Sequence, residues 1–198
     1  INLDEYPYVP MQDDGVCSFL FVGRIMREKG VDEFFAAAKT IKAEFGEKVA
    51  FDVVGFYEDA YKETVDQLVA DGIINFHGFQ TDVHPFYEAA DCVVLPSYHE
   101  GMSNVLLEGA ATGRALITSD IPGCREAVED GVSGYLCPTQ DAEVLTNFFR
   151  EFASKTQSEQ EQMGRCGRAL IGRKFDKRIV VAQTMNSLGL VEAARSKA

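Results

Sequence analysis

Three cations, Arg24, Arg27 and Lys29, fall within six residues of one another in a chain whose formal net charge is -12. Two carboxylates, Glu100 and Glu108, stand eight residues apart further along. Clustered cations neutralise phosphate, and carboxylates accept hydrogen bonds from hydroxyl groups, so the two sets together suit a ligand carrying both. Each set also has an ordinary reading: surface glutamates are usually solvated, and a charged run before a helix is usually a solvated turn. Position favours the chemical reading. Glu100 lies between the end of an apolar run and the start of a helix, whose free amides and positive dipole end attract anions. A carboxylate there either caps the amides itself or flanks a phosphate they hold, and the residue types admit both.

The elements that must position these groups follow from the apolar pattern. Residues 17–22 and 49–54 are short apolar runs closed by Gly23 and Gly55, and residues 73–76, 92–95, 115–118 and 135–138 complete a set of six predicted strands. Helical periodicity covers residues 31–45, 57–70, 83–90, 104–112, a short stretch at 123–130, then 141–154, 158–174 and 177–188. Ser103, with Asn104 beside it, is the expected N-cap of the fourth helix, and Asp141 that of the helix it opens. Six strands alternating with helices predict an α/β fold, a Rossmann-like doubly wound parallel sheet with extra C-terminal helices, in the order 3-2-1-4-5-6. Strands one and four would then be neighbours at the switch point. The loop bearing Arg24 and Lys29 would face the loop bearing Glu100 and the amides of Met102, Ser103 and Asn104.

Composition narrows the function. An acidic chain of pI near 4.7 repels nucleic acid and anionic membrane surfaces, so any phosphate must be held locally. Five cysteines without a CxxC pair read as small core residues of a reducing compartment, and His77, His84 and His99 lack zinc-ligand spacing. No metal and no cofactor is expected. The G-x-G-x-x-G fingerprint and the P-loop lysine motif are both absent, which weakens a nicotinamide, flavin or P-loop reading. No apolar run is long enough to span a bilayer, and a cytoplasmic location follows as an expectation, with the cytoplasmic face of an inner membrane open to the whole protein. Residues 1–15 read as a linker cut from a longer polypeptide, and 16–175 as one α/β domain with its ligand site at the switch point.

In order, the chain shows GRxxxxKG after the first strand, PSxxEG after the fourth, the Glu100 and Glu108 pair as E-x7-E, a GxxE element at 123–126 and DGVSGYLCP at 130–138. This series resembles the carboxyl-terminal half of retaining GT-B glycosyltransferases, in the glycosyl transferases group 1 family (glycosyltransferase family 4). The resemblance implies that Arg24 and Lys29 hold a donor diphosphate and stabilise its charge as it leaves, helped by the amides of Gly101, Met102, Ser103 and Asn104. It implies that Glu108 accepts from ribose hydroxyls and that Glu100 holds hydroxyls of the transferred sugar. Gly78 and Phe79 would meet the base through their backbone, over a floor kept clear by Gly55.

The implied reaction is retaining transfer of a hexosyl group from a nucleoside-diphosphate sugar to a saccharide or lipid-linked acceptor, in capsule, lipopolysaccharide or other surface polysaccharide synthesis. The EGMSNVLLE form is most similar to capsule-type enzymes using UDP-sugars. Gly109, and Arg114 with Ala115, depart from the alanine and the Gly-Pro turn usual in the family. The partner of the nucleotide-sugar site would be an N-terminal acceptor domain of the same polypeptide, carrying any membrane contact, with residues 176–198 packing back onto it. Without that domain the chain would bind donor and transfer little. The competing readings are a nucleotide-sugar-binding module without transferase activity and a GT-B UDP-sugar epimerase, the latter disfavoured by E-x7-E.

Overall fold

Six short β-branched and aromatic runs, each bounded by glycine, proline or a polar turn, pair side by side in a computed structural model that describes residues 1–188. The strands are β1 (Cys17–Val22), β2 (Val49–Val54), β3 (Asn75–Phe76), β4 (Cys92–Leu95), β5 (Ala115–Ser119) and β6 (Gly134–Cys137). They form one parallel sheet in the order β3-β2-β1-β4-β5-β6, as the alternation predicts. β4 and β5 are buried along their whole length, the mark of strands covered on both faces.

The connecting helices are α1 (Val31–Phe45), α2 (Lys62–Ala70), α3 (His84–Ala89), α4 (Asn104–Thr112), α5 (Ala142–Ala153), α6 (Gln157–Lys174) and α7 (Lys177–Ser187). Successive residues of β1 serve opposite faces. Phe19 stacks on Phe51 at 5.2 Å between ring centres and meets Phe149 of α5 at 4.7 Å, while Phe34 of α1 closes edge-on against Phe149. Leu20 points the other way, into a hollow under Pro85, Phe86 and Ala90. Each fully buried phenylalanine contributes about 1.5–3 kcal/mol, so this aromatic cluster anchors α1 and α5 to the sheet. Cys17, Cys92, Cys124 and Cys137 are free thiols buried in the core.

Three stretches differ from expectation. Only Asn75 and Phe76 of the third strand pair with the sheet, because the Ile73 and Ile74 amides turn back to the carbonyl of Leu68 at the end of α2. Residues 57–61 are not α-helical: Tyr57 bridges to Ile25, and a 3-10 turn over Asp59–Tyr61 precedes α2. The stretch 123–130 holds only a 3-10 turn, Arg125–Ala127, since Gly123 has a left-handed backbone (φ 87°) and its amide donates to the Glu126 carboxylate at 2.8 Å.

Residues 1–9 lie against the domain. The Val9 amide donates to the Thr112 carbonyl at 3.1 Å, and the Lys177 amide donates to Ile1 at 2.8 Å. α7 exposes Val180, Val181 and Met185, and Leu188 just after it is exposed as well. The remainder of the expected C-terminal docking segment lies outside the described residues. Among the described residues no helix is long and apolar enough to cross a membrane.

Candidate functional site

At the carboxyl ends of the strands, backbone bonds continue from loop to loop. The Ile25 amide donates to Phe56 at 2.9 Å and the Glu58 amide to Ile25 at 3.1 Å, joining the loops after β1 and β2. The Gly55 amide donates to Gly78 at 2.8 Å, and the Tyr98 amide donates to Glu28 at 2.8 Å, so the loops after β3 and β4 are tied in as well. Side chains on such loops inherit the rigidity of the sheet beneath them.

Arg24 is exposed, and its guanidinium lies over the Phe56 ring at 5.1 Å from the centroid. Phe79 stands 6.5 Å from Phe56, and both rings are open to solvent, at 67% and 49% exposure. A cavity of about 180 Å³ opens here between Gly23, Arg24, Gly55, Phe56, Phe79 and Val83. Apolar rings and a cation around a shallow pocket suit a planar heterocycle attached to an anion. Gly55 lines this pocket, and a Cβ on it would stand 1.9 Å from the Gly23 carbonyl oxygen. The absence of a side chain there serves the close approach of two loops as well as the space above them.

Lys29, half-buried, places Nζ 2.5 Å from Glu100 Oε1, which also accepts from the Ser97 hydroxyl at 2.8 Å. The structure therefore brings together the predicted diphosphate cation and the predicted sugar carboxylate, with Glu100 Oε2 accepting from no described residue. The predicted cap by Ser103 is not made: its side chain makes no capping bond, and its amide instead donates to the Gly123 carbonyl at 3.1 Å. A Cβ at Gly123 would sit 1.5 Å from the Gly101 carbonyl oxygen, so the GxxE element presses directly on the loop that leads into α4. Glu126 thus has a local task, holding Gly123 in place. The amides of Met102 and Asn104 donate to no group among the described residues, and both residues are exposed at the helix N-terminus.

Glu108, the second carboxylate of the pair, lies on the flank of α4 that meets α3. Its Oε2 accepts from the Tyr87 hydroxyl at 2.9 Å. Tyr87 lies one helical turn after Val83, a wall of the Arg24 pocket, so α3 links the two halves of the site. Burial, reinforced by the Glu108 charge, pushes the Tyr87 phenol far above its ordinary range and keeps it a donor.

Phe56, Ser97 and Tyr87 were not among the predicted site residues. Phe56 follows Gly55 at the ligand edge of β2, a position that carries a signal. Ser97 sits inside the PSxxEG motif, whereas Tyr87 stands 21 residues from Glu108 and looks like any inward helix residue.

The chain matches the glycosyl transferases group 1 family over residues 17–154. It is 30% identical over 146 residues to N,N'-diacetylbacillosaminyl-diphospho-undecaprenol alpha-1,3-N-acetylgalactosaminyltransferase of Campylobacter jejuni, covering 74% of this chain and 35% of that protein. Among solved structures, the C-terminal domain of a glycosyl transferase group 1 family protein (LpcC) from Francisella tularensis aligns with a TM-score of 0.76 at 22% identity, over 89% of this chain and 99% of that one. Anabaena Alr3699/HepE in complex with UDP aligns with a TM-score of 0.80 at 20% identity, over 96% of this chain and 55% of that one. The two structures share the fold, a Rossmann-like half of the GT-B type. The chain spans about a third of the length of its Campylobacter relative. By sequence it belongs to the glycosyl transferases group 1 family.

Proposed function

We propose that the chain is the donor-binding domain of a retaining hexosyltransferase and takes a UDP-sugar at the carboxyl edge of its sheet. The observation that carries this reading is the convergence on one edge of Arg24, the Lys29 and Glu100 pair, the uncapped amides at the start of α4, and an aromatic pocket. The base would lie against Phe56 and Phe79, near the backbone of Gly78, with Gly55 below it. The ribose diol would donate to Glu108. The diphosphate would lie between Arg24, Lys29 and the amides of Gly101, Met102 and Asn104, the expected amide of Ser103 being taken by the Gly123 carbonyl, with Glu100 receiving hydroxyls of the sugar.

Breaking the bond between the sugar and the diphosphate leaves negative charge on the departing phosphate. Fixed cations and amide dipoles that meet that charge lower the barrier, and loss of one such donor costs on the order of 2.7 to 4 kcal/mol in other enzymes. No metal is needed where side-chain cations fill this role. A diphosphate would also draw Lys29 from Glu100, freeing the carboxylate for the sugar at the moment the donor arrives.

The Campylobacter relative is named for a diphospho-undecaprenol substrate, which supports a lipid-linked saccharide acceptor in surface polysaccharide assembly. The acceptor site would belong to an N-terminal domain preceding these residues, and any membrane contact with it. Calorimetric titration of the chain with UDP, GDP and ADP tests the proposal. Preferential UDP binding, weakened by both Arg24→Ala and Glu108→Ala, is expected. Binding indifferent to both substitutions, or none, would sink it. The module without transferase activity predicts the same titration and is separated from it by assaying the full-length polypeptide for sugar transfer.

A further inference from the structure

Glu108 does not stand alone. Tyr87, fully buried on α3, donates its hydroxyl to Oε2 at 2.9 Å. A second tyrosine reaches the same place from the opposite end of the sequence. Tyr6 stacks on His84 with ring centres 4.5 Å apart and meets Tyr87 edge-on at 6.5 Å. Burial and the adjacent Glu108 carboxylate push the Tyr6 phenol up to about 12, so it stays protonated and able to donate.

The segment carrying Tyr6 is fastened to the helix that carries Glu108. Arg168 Nη1 donates to the Tyr6 carbonyl at 2.7 Å and also to the Ala111 carbonyl, while the Val9 amide reaches Thr112 at 3.1 Å. Arg114, with no exposed surface, donates to Val9 at 2.6 Å and to Ala90 at 2.9 Å. Thr112 in turn donates its hydroxyl to the Glu108 carbonyl at 2.9 Å. Arg114, a departure from the family pattern, therefore reaches away from the donor pocket and into this segment.

We infer that Tyr6 and Tyr87 are positioning residues that set the Glu108 carboxylate for a ribose diol, and that through Tyr6 the docking of residues 1–9 is coupled to nucleotide binding. The inference rests on the reading that Glu108 receives the ribose. With Oε2 engaged by Tyr87, the carboxylate is held in one orientation, and less freedom is lost when hydroxyls bind to it. Coupling runs both ways: a nucleotide that fixes Glu108 strengthens the contacts of Tyr6, and undocking of the segment weakens nucleotide binding by the same factor.

The test uses the whole chain, titrated with UDP and with 2′,3′-dideoxy-UDP, which lacks both ribose hydroxyls. The parent is expected to prefer UDP. Tyr87→Phe, which removes the hydrogen bond to Oε2, and Tyr6→Ala, which removes the ring packed edge-on against Tyr87, each shrink that preference by roughly fivefold to tenfold, and neither has a further effect in a Glu108→Gln background. UDP slows hydrogen exchange at the Val9 amide of the parent, and Tyr6→Ala abolishes that protection. Parent-like discrimination between the two nucleotides in both tyrosine variants would overturn the positioning role. Retained protection of Val9 in Tyr6→Ala would overturn the coupling. If Tyr87→Phe fails to fold, Tyr6→Ala, at a partly exposed position, carries the test alone. Failure of the parent to bind UDP would overturn the donor-site reading and this inference with it.

Discussion

Two groups of cations in this molecule have opposite fates. Arg114 and Arg168 direct their guanidinium groups to backbone carbonyls, of Ala90 and Val9 in one case and of Tyr6 and Ala111 in the other. Arg24 and Lys29, at the carboxyl edge, rest on a ring face and on a single carboxylate. The first group is committed to the fold, because a buried guanidinium without its acceptors would be costly. The second can turn to an incoming anion while giving up only a cation–π contact or a partly exposed ion pair, each worth little in water. Cationic residue type alone does not mark a binding site. What distinguishes the site is charge held near the surface by contacts weak enough to exchange.

Substitution should separate the groups. Arg114→Met leaves the buried Ala90 carbonyl and the partly buried Val9 carbonyl without their donor and should cost on the order of 2 to 5 kcal/mol, read as a lowered urea midpoint. If the midpoint does not move, Arg114 is not committed as described. Arg24→Ala should leave the midpoint within about 0.5 kcal/mol of the parent while weakening UDP binding by about 1.5 to 3 kcal/mol, the range of a charge-assisted hydrogen bond. A variant that unfolds more readily yet binds UDP normally would reverse the assignment.

A subtler difference concerns pH. Asp91, buried at the start of β4, has its carboxyl raised above the ordinary value by burial, against the opposing bonds from Ser18 and the charge of Arg114. A carboxyl raised in the folded state contributes stability below its unfolded value and loses it as pH rises through the folded value. The stability of the parent relative to Asp91→Asn should therefore fall between pH 4 and pH 7, as measured by urea unfolding at each. A constant difference would mean that Arg114 fully offsets the burial. At the smallest end, Arg150 and Glu44 form a bidentate pair at 2.7 Å on the open surface, and Arg150→Ala should leave the unfolding midpoint unchanged within error.

These contrasts also explain what could be read from the sequence. The bounds of β1, β2 and α1 fall where apolar periodicity and the flanking glycines put them, because burial on both faces leaves no alternative register. The strand order followed from alternation and crossover handedness. The pairing of Lys29 with Glu100 was partly visible, since strands one and four had to be neighbours. Tyr6 and Arg114 were not legible as partners: their contacts span 78 residues between Tyr6 and His84 and 105 between Arg114 and Val9, and no local pattern encodes a side chain meeting a carbonyl at that distance. The helix over 123–130 failed because one side chain, Glu126, bonded backward to a glycine amide and displaced the helical turn.

The most direct test of the central claim is an amide NMR titration of the chain with UDP. A donor site at the carboxyl edge predicts the largest shifts at Gly55, Gly78, Phe79 and from Gly101 through Asn104, with the amides at the amino ends of β1 and β4 unmoved. Shifts concentrated instead around the hollow lined by Asp13, Lys48 and Lys155, at that opposite end of the sheet, would contradict the account.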